Sequence, residues 1–87
     1  MRLPPTEQHI LSLLSEGGSS YGLQLVHASG GRLKRGGIYV TLGRMEEKGL
    51  VSSIRQDDAR RIYDLTGLGR RAIAALEILG DVSGART

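Results

Sequence analysis

The chain of 87 residues has no cysteine, phenylalanine or tryptophan, only two prolines, and no long hydrophobic run. The lack of cysteine excludes disulfide staples, thiolate chemistry and cysteine zinc sites, and suits a reducing compartment. Tyr21, Tyr39 and Tyr63 are the only aromatic residues, so the core has to be aliphatic. No stretch approaches the roughly 20 apolar residues that cross a bilayer, and Met1–His9 lacks the apolar run of a signal peptide. A cytoplasmic protein without a membrane segment is expected. The length suffices for one domain with a modest core and is too short for a cofactor-binding enzyme fold plus a second module.

The net charge of +3 is distributed unevenly. Residues 1–31 sum to −1 and residues 62–87 to zero, whereas residues 32–61 set eight Arg or Lys against four carboxylates. Ten of the twelve cations are arginines, whose planar fork fits phosphate and guanine bidentately. A basic segment of this kind attracts polyanions, although it also occurs as a merely solvated surface.

Hydrophobic periodicity predicts four helices and a hairpin. After Pro4 and Pro5, Thr6 is a fitting N-cap, and Ile10, Leu11, Leu13 and Leu14 recur at helical spacing up to Gly17-Gly18. Ser19 or Ser20 caps a short second helix over about residues 20–29, with Tyr21, Leu25, Val26 and Ala28 on one face before Gly30-Gly31. A third helix is expected from Arg35 to Lys48, stopped by Gly49, with Ile38, Leu42 and Met45 within about 60° of one another at about 100° per residue. Residues 50–55 and 61–65 read as two strands of a hairpin. Thr66 then caps a helix to about Leu79, with Leu68, Ala72, Ala75, Leu76 and Leu79 along a stripe and Gly80 as its end. The expected fold class is mainly α with a small β-hairpin, a winged helix-turn-helix, in a domain over residues 1–80 followed by a flexible tail over 81–87.

The outer face of the third helix carries the functional expectation. Gly37, Val40, Thr41, Arg44 and Lys48 fall opposite the core stripe, small near the N-terminus and basic toward the C-terminus. A helix in a major groove needs this mixture: close approach, contact with a thymine methyl, and an arginine that bridges guanine O6 and N7. Gly36 and Gly37 cost about 1 kcal/mol each in a helix interior, which approach to a phosphate would offset. Arg60 and Arg61 lie near the hairpin tip, where they reach a DNA backbone or minor groove, unless Asp57 and Asp58 hold them in ion pairs. Tyr39 reads as a phosphate contact and Tyr63 as a core ring.

The stretch from Gly36-Gly37-Ile38-Tyr39 through Leu42, Arg44 and Met45 to Gly49-Leu50-Val51 resembles the PadR-type transcriptional regulators. Gly22-Leu23-Gln24-Leu25 resembles the family's Gly-Tyr-Glu-Ile, and Arg60-Arg61-Ile62-Tyr63-Asp64-Leu65-Thr66 with Gly69 resembles its wing strand and the entry to the next helix. The similarity covers about residues 6–71. Val40 stands where proline is frequent, Leu23 where an aromatic is usual, and Asp58-Ala59-Arg60 where a Gly-Arg-Pro-like turn is common. The resemblance implies a DNA-binding regulator. Longer family members dimerise and bind an effector through a C-terminal helical region for which little chain remains here.

Ile73 and Ile78 fall outside the expected stripe of the fourth helix, so that helix reads as apolar more nearly all round. A homodimer packed through Ile73, Leu76, Ile78 and Leu79 would cover it and set two recognition helices about one DNA turn apart. His9 and His27 sit on different helices without a further ligand, and neither the serine pairs nor Gly36-Gly37 belongs to a nucleophile or phosphate-loop motif. No catalytic centre, metal or cofactor is expected. The expectation is a double-stranded DNA-binding transcriptional regulator, a dimeric repressor, using Arg35, Gly37, Tyr39, Val40, Thr41, Arg44, Lys48, Arg60 and Arg61. The alternative is a winged helix that binds a protein partner, and the residues leave any small-molecule effector open.

Overall fold

Apolar residues at helical spacing build one half of the molecule and a twisted sheet edge completes it. In the computed structural model of the chain, residues 3–57 and 59–85 are described, with residues 79–85 given by backbone alone. The order is α1 (Pro5–Gly17), β1 (Ser20–Tyr21), α2 (Gly22–Ala28), α3 (Ile38–Glu47), β2 (Val51–Arg55), β3 (Arg61–Leu65) and α4 (Gly67–Ala85). This is a winged helix-turn-helix, with α2 and α3 as the helical pair and β2–β3 as the wing. Among the described residues, no helix is long and apolar enough to cross a membrane.

Ile10, Leu11 and Leu14 of α1, Leu25 of α2, and Ile38, Leu42 and Met45 of α3 are all buried and meet in one core. Val51, Tyr63 and Leu65 close it from the sheet. Full burial of each such aliphatic side chain contributes about 1.5–3 kcal/mol, so this shared stripe fixes how α3 lies on the other helices. Tyr63 is therefore a core ring, as its position implies.

Several boundaries differ from those the sequence suggests. Helix α1 begins at Pro5 with Pro4 as N-cap, and Thr6 lies inside its first turn. Helix α2 is capped by Tyr21, whose backbone N–H donates to the Gln24 side chain at 2.7 Å, while Ala28 is exposed rather than part of the core face. Ser20–Tyr21 instead forms a third strand, pairing Ser20 with Tyr63 and Tyr21 with Ile62 in a sheet of order β1-β3-β2. Two residues carry no periodicity of their own; the free edge of β3 makes them a strand.

Helix α3 starts at Ile38, not Arg35, so Arg35, Gly36 and Gly37 lie in the turn before it. The carbonyl of Lys34 closes that turn by accepting from the N–H groups of Gly37 (3.2 Å) and Ile38 (3.0 Å). Starting after the glycines avoids their helix cost altogether. At the other end Lys48 is the C-cap and Gly49 takes φ 78°, which an L side chain rarely adopts. Gly49 N–H donates to Glu46 O and Leu50 N–H to Met45 O, both at 2.9 Å, the paired bonds of a Schellman ending.

Thr66 caps α4 as its spacing predicts: its hydroxyl accepts from Gly69 N–H at 3.0 Å and donates to Gly49 O at 2.5 Å. The helix then runs through Gly80 to Ala85, beyond the expected end, so most of the supposed tail is helical. A glycine lowers helix propensity by only about 1 kcal/mol and stops a helix when a left-handed turn follows. Arg86 and Thr87, the last of the expected tail, lie outside the described residues. Leu68, Ala72, Ile73 and Leu76 pack against the core, and Ala75 is exposed. The core stripe thus takes in Ile73, which is partly covered by the domain's own packing.

Candidate nucleic-acid interface

Burying Ile38, Leu42 and Met45 turns the opposite side of α3 outward, and the side chains there are Tyr39, Val40, Arg44 and Glu47. Tyr39 is 52% and Val40 58% exposed. Among the described residues, none of these four side chains has a hydrogen-bond or ion-pair partner. Thr41 lies at the edge of the face, its hydroxyl donating back to Gly37 O at 3.1 Å. Gly37 and Arg35 are exposed in the turn that leads into the helix, and a Cβ built on Gly36 or Gly37 would meet only open space.

Ser29 sets that turn. It is buried, its hydroxyl donating to Val26 O at 2.7 Å and accepting from Leu33 N–H at 3.0 Å, which ties the end of α2 to the start of the connection. The connection brings Arg32 and Lys34 beside Gly37 and Thr41, around a shallow hollow of about 160 Å³. Both cations were counted in the basic segment, but neither was expected at the site. Their alignment depends on the turn, which has no sequence period.

Lys48 is placed differently from the expectation. Its ammonium donates to Glu7 Oε1 at 2.7 Å, and the Glu7 side chain is only 3% exposed. A carboxylate so far from water requires its counter-charge. Lys48 therefore holds the end of α3 to α1, its ammonium already paired with a buried carboxylate.

The wing reaches the same side of the molecule. A hollow of about 290 Å³ lies between Tyr39, the start of α2 (Leu23, Gln24) and the wing residues Arg60 and Arg61, with Tyr21 at its wall. Gly22 makes this closeness possible: a Cβ there would come 2.7 Å from Cε1 of Tyr39. Arg60 donates to Asp57 Oδ2 at 2.9 Å and stacks over the Tyr21 ring at 4.8 Å. The hydrogen bond and charge of Asp57 raise its guanidinium pKa still further. Arg61 donates to Ser53 Oγ at 3.1 Å, and that hydroxyl donates to Glu46 Oε2 at 2.8 Å, linking the wing to the last turn of α3. Beneath this link the phenol of Tyr63 has its pKa pushed up, mainly by burial and then by the charge of Glu46, while Arg61 opposes the shift.

The structure thus brings Arg35, Gly37, Tyr39, Val40, Thr41, Arg44, Arg60 and Arg61 to one side and removes Lys48 from it. Tyr21, Leu23 and Gln24 join this surface unannounced by the sequence, because the two-residue strand β1 was not legible. Ile73 and Leu76 are partly buried against the domain core, Ile78 is 62% exposed, and the side chain of Leu79 lies outside the described residues. The described residues contain no group of three or more His, Asp or Glu side chains suited to a metal ion. His9 lies on α1 and His27 on α2, apart from one another.

Residues 10–75 match the transcriptional regulator PadR-like family. The fold is shared with a PadR family transcription regulator from Clostridium difficile R20291, at 25% identity and a TM-score of 0.80, covering 91% of this chain and 90% of that one. RosR of H. salinarum is similar at 27% identity and a TM-score of 0.79, with 94% of this chain and 76% of that one covered. The PcaV transcriptional regulator from Streptomyces coelicolor, solved in complex with its natural ligand, shares the fold at 22% identity and a TM-score of 0.79, with 87% and 54% covered. The chain spans about half the length of that regulator. No curated protein matches the chain.

Proposed function

The chain belongs to the PadR-like family of transcriptional regulators, and from that premise we propose that it binds duplex DNA in the cytoplasm by laying α3 in the major groove and represses transcription by occupying its operator. The observation that supports this reading is the outward face of α3. Among the described residues, Val40 and Arg44 stand exposed without a hydrogen-bond or ion-pair partner, with Arg35 exposed on the turn before α3 and Arg61 beside Tyr39 on the wing. Such a face joins an element able to meet base edges to cations able to hold the backbone. Arg44 reads guanine, Val40 and Thr41 pack on base edges, and Arg35, Tyr39, Arg60 and Arg61 set the register on the phosphates.

The active unit is a homodimer joined through α4. The last described side chain of α4 that packs on the domain's own core is Leu76, yet the helix continues to Ala85 with Ile78 exposed. Pairing this end, together with the partly covered Ile73 and Leu76 and with Leu79, would place two α3 helices about 34 Å apart, as a two-fold operator requires. Gel shifts on genomic fragments across a salt series test the DNA reading: retention of particular fragments that weakens steeply with salt supports it, and no retention even at low salt defeats it. Sedimentation equilibrium tests the dimer. A monomer at the concentrations that saturate the operator would leave single, non-symmetric sites.

A further inference from the structure

Leu23, Tyr39 and Val40 are among the large hydrophobic side chains that stand exposed, at 47%, 52% and 58%, and all three lie in the first turns of α2 and α3. Single exposed apolar residues are ordinary, but Leu23 and Tyr39 share a hollow with Arg60 and Arg61 and Val40 is the next residue of the same helix, so this surface suits a partner that is anionic at its edges and apolar at a point within. In the major groove of unmodified DNA the only methyl group on a base edge is the 5-methyl of thymine.

We propose that Val40 selects thymine in the operator by taking its 5-methyl group into van der Waals contact. This rests on the DNA-binding reading above and names what that surface reads. Val40 is the third residue of α3, at the end of the helix that enters a groove first. Its side chain makes no hydrogen bond, so it cannot tell bases apart by donors and acceptors, and its branched Cβ leaves one strongly preferred rotamer on a helix. It therefore offers a fixed pair of methyl groups to whichever base edge lies opposite. Tyr39 is turned aside, its ring against Gly22 and into the hollow beside the wing, which leaves Val40 as the most exposed apolar side chain of α3. Leu23 lies on α2 between that hollow and a second one lined by His27 and Arg35, which makes it the apolar part of the neighbouring surface. Arg35 and Arg61 on either side supply the attraction that brings a duplex to it.

The test uses duplexes selected from an unmodified synthetic library, in which thymine is the only source of a 5-methyl pyrimidine. Each thymine of the preferred site is replaced in turn by deoxyuridine, which removes the methyl and keeps the base pair, and affinity is measured by fluorescence anisotropy at fixed salt. The wild-type chain is expected to lose about fourfold at one or more thymines. Val40→Ala, an exposed substitution that favours the helix, is expected to bind the thymine and deoxyuridine forms of that position equally. If every deoxyuridine duplex binds within experimental error of its parent, or if Val40→Ala keeps the full thymine preference, the inference is overturned while DNA binding stands. If no duplex binds at low salt, the DNA reading itself falls.

Discussion

Helix α3 and the β2–β3 hairpin turn polar and cationic side chains toward the same side of the molecule, but they hold them in opposite ways. On α3, Val40 and Arg44 stand exposed with no hydrogen-bond or ion-pair partner among the described residues, and the helix beneath them is fixed by three buried anchors, a Schellman ending and the Lys48–Glu7 pair. On the wing, Val51, Tyr63 and Leu65 anchor the base of the strands in the core, and two of its three arginines are engaged, Arg60 by Asp57 and Tyr21 and Arg61 by Ser53, while Arg55 at the end of β2 is exposed. A rigid support with free side chains suits base reading, since little order has to be created on binding. Arg60 and Arg61, which already have partners, gain less from DNA, because each new contact displaces an old one.

Three changes probe that contrast, in falling order of expected effect. Lys48→Ala leaves the Glu7 carboxylate buried without its counter-charge, which costs about 1–3 kcal/mol of unfolding free energy because Lys48 itself is partly solvated. Urea unfolding should show this loss, while the salt dependence of DNA affinity keeps its slope. A slope reduced by about one with stability intact would instead return Lys48 to the phosphate contact its sequence position suggests.

Asp57→Ala releases Arg60 from an exposed ion pair, which solvent screens and which therefore holds it only weakly. Duplex affinity should rise by no more than about fivefold, equally on all sequences. A fall in affinity would show that Asp57 holds Arg60 in its binding position rather than away from it.

The smallest effect concerns alkaline pH. The phenol of Tyr63 titrates above its usual 10.0 because burial disfavours the phenolate. The unfolded chain therefore loses this proton first, so the stability linked to it is complete below pH 10.0 and is lost as pH rises through the folded value. Tyr63→Phe should flatten the decline of melting temperature in that range. An unchanged decline would assign it to other groups.

What was legible in the sequence was what repeats. The spacing of Ile38, Leu42 and Met45 placed α3 and its outer face, Gly49 placed its end, and Thr66 placed the start of α4. What was hidden is non-local. Strand β1 exists because Ser20 and Tyr21 meet β3, and Lys48 is reassigned by a glutamate 41 residues away. The start of α3 moved to Ile38 because Lys34 closes a turn around the glycines. On α4, Leu68, Ala72 and Leu76 of the expected stripe do pack on the core, but Ile73 joins them while Ala75 stays exposed, so of the two isoleucines of that helix Ile78 is the exposed one. Within the candidate site, the helix was therefore readable in advance and its flank formed by Tyr21, Leu23 and Gln24 was not.

The central claim is that α3 reads bases through Arg44 while the cations around it hold the backbone. The most direct measurement is the affinity of the wild-type chain and of Arg44→Ala for the selected operator and for a scrambled duplex of equal length, at one salt concentration. The account predicts that Arg44→Ala loses about 1–3 kcal/mol on the operator and little on the scrambled duplex, so that the ratio between them collapses. Equal losses on both duplexes would contradict it, leaving Arg44 a backbone contact and α3 without its reader.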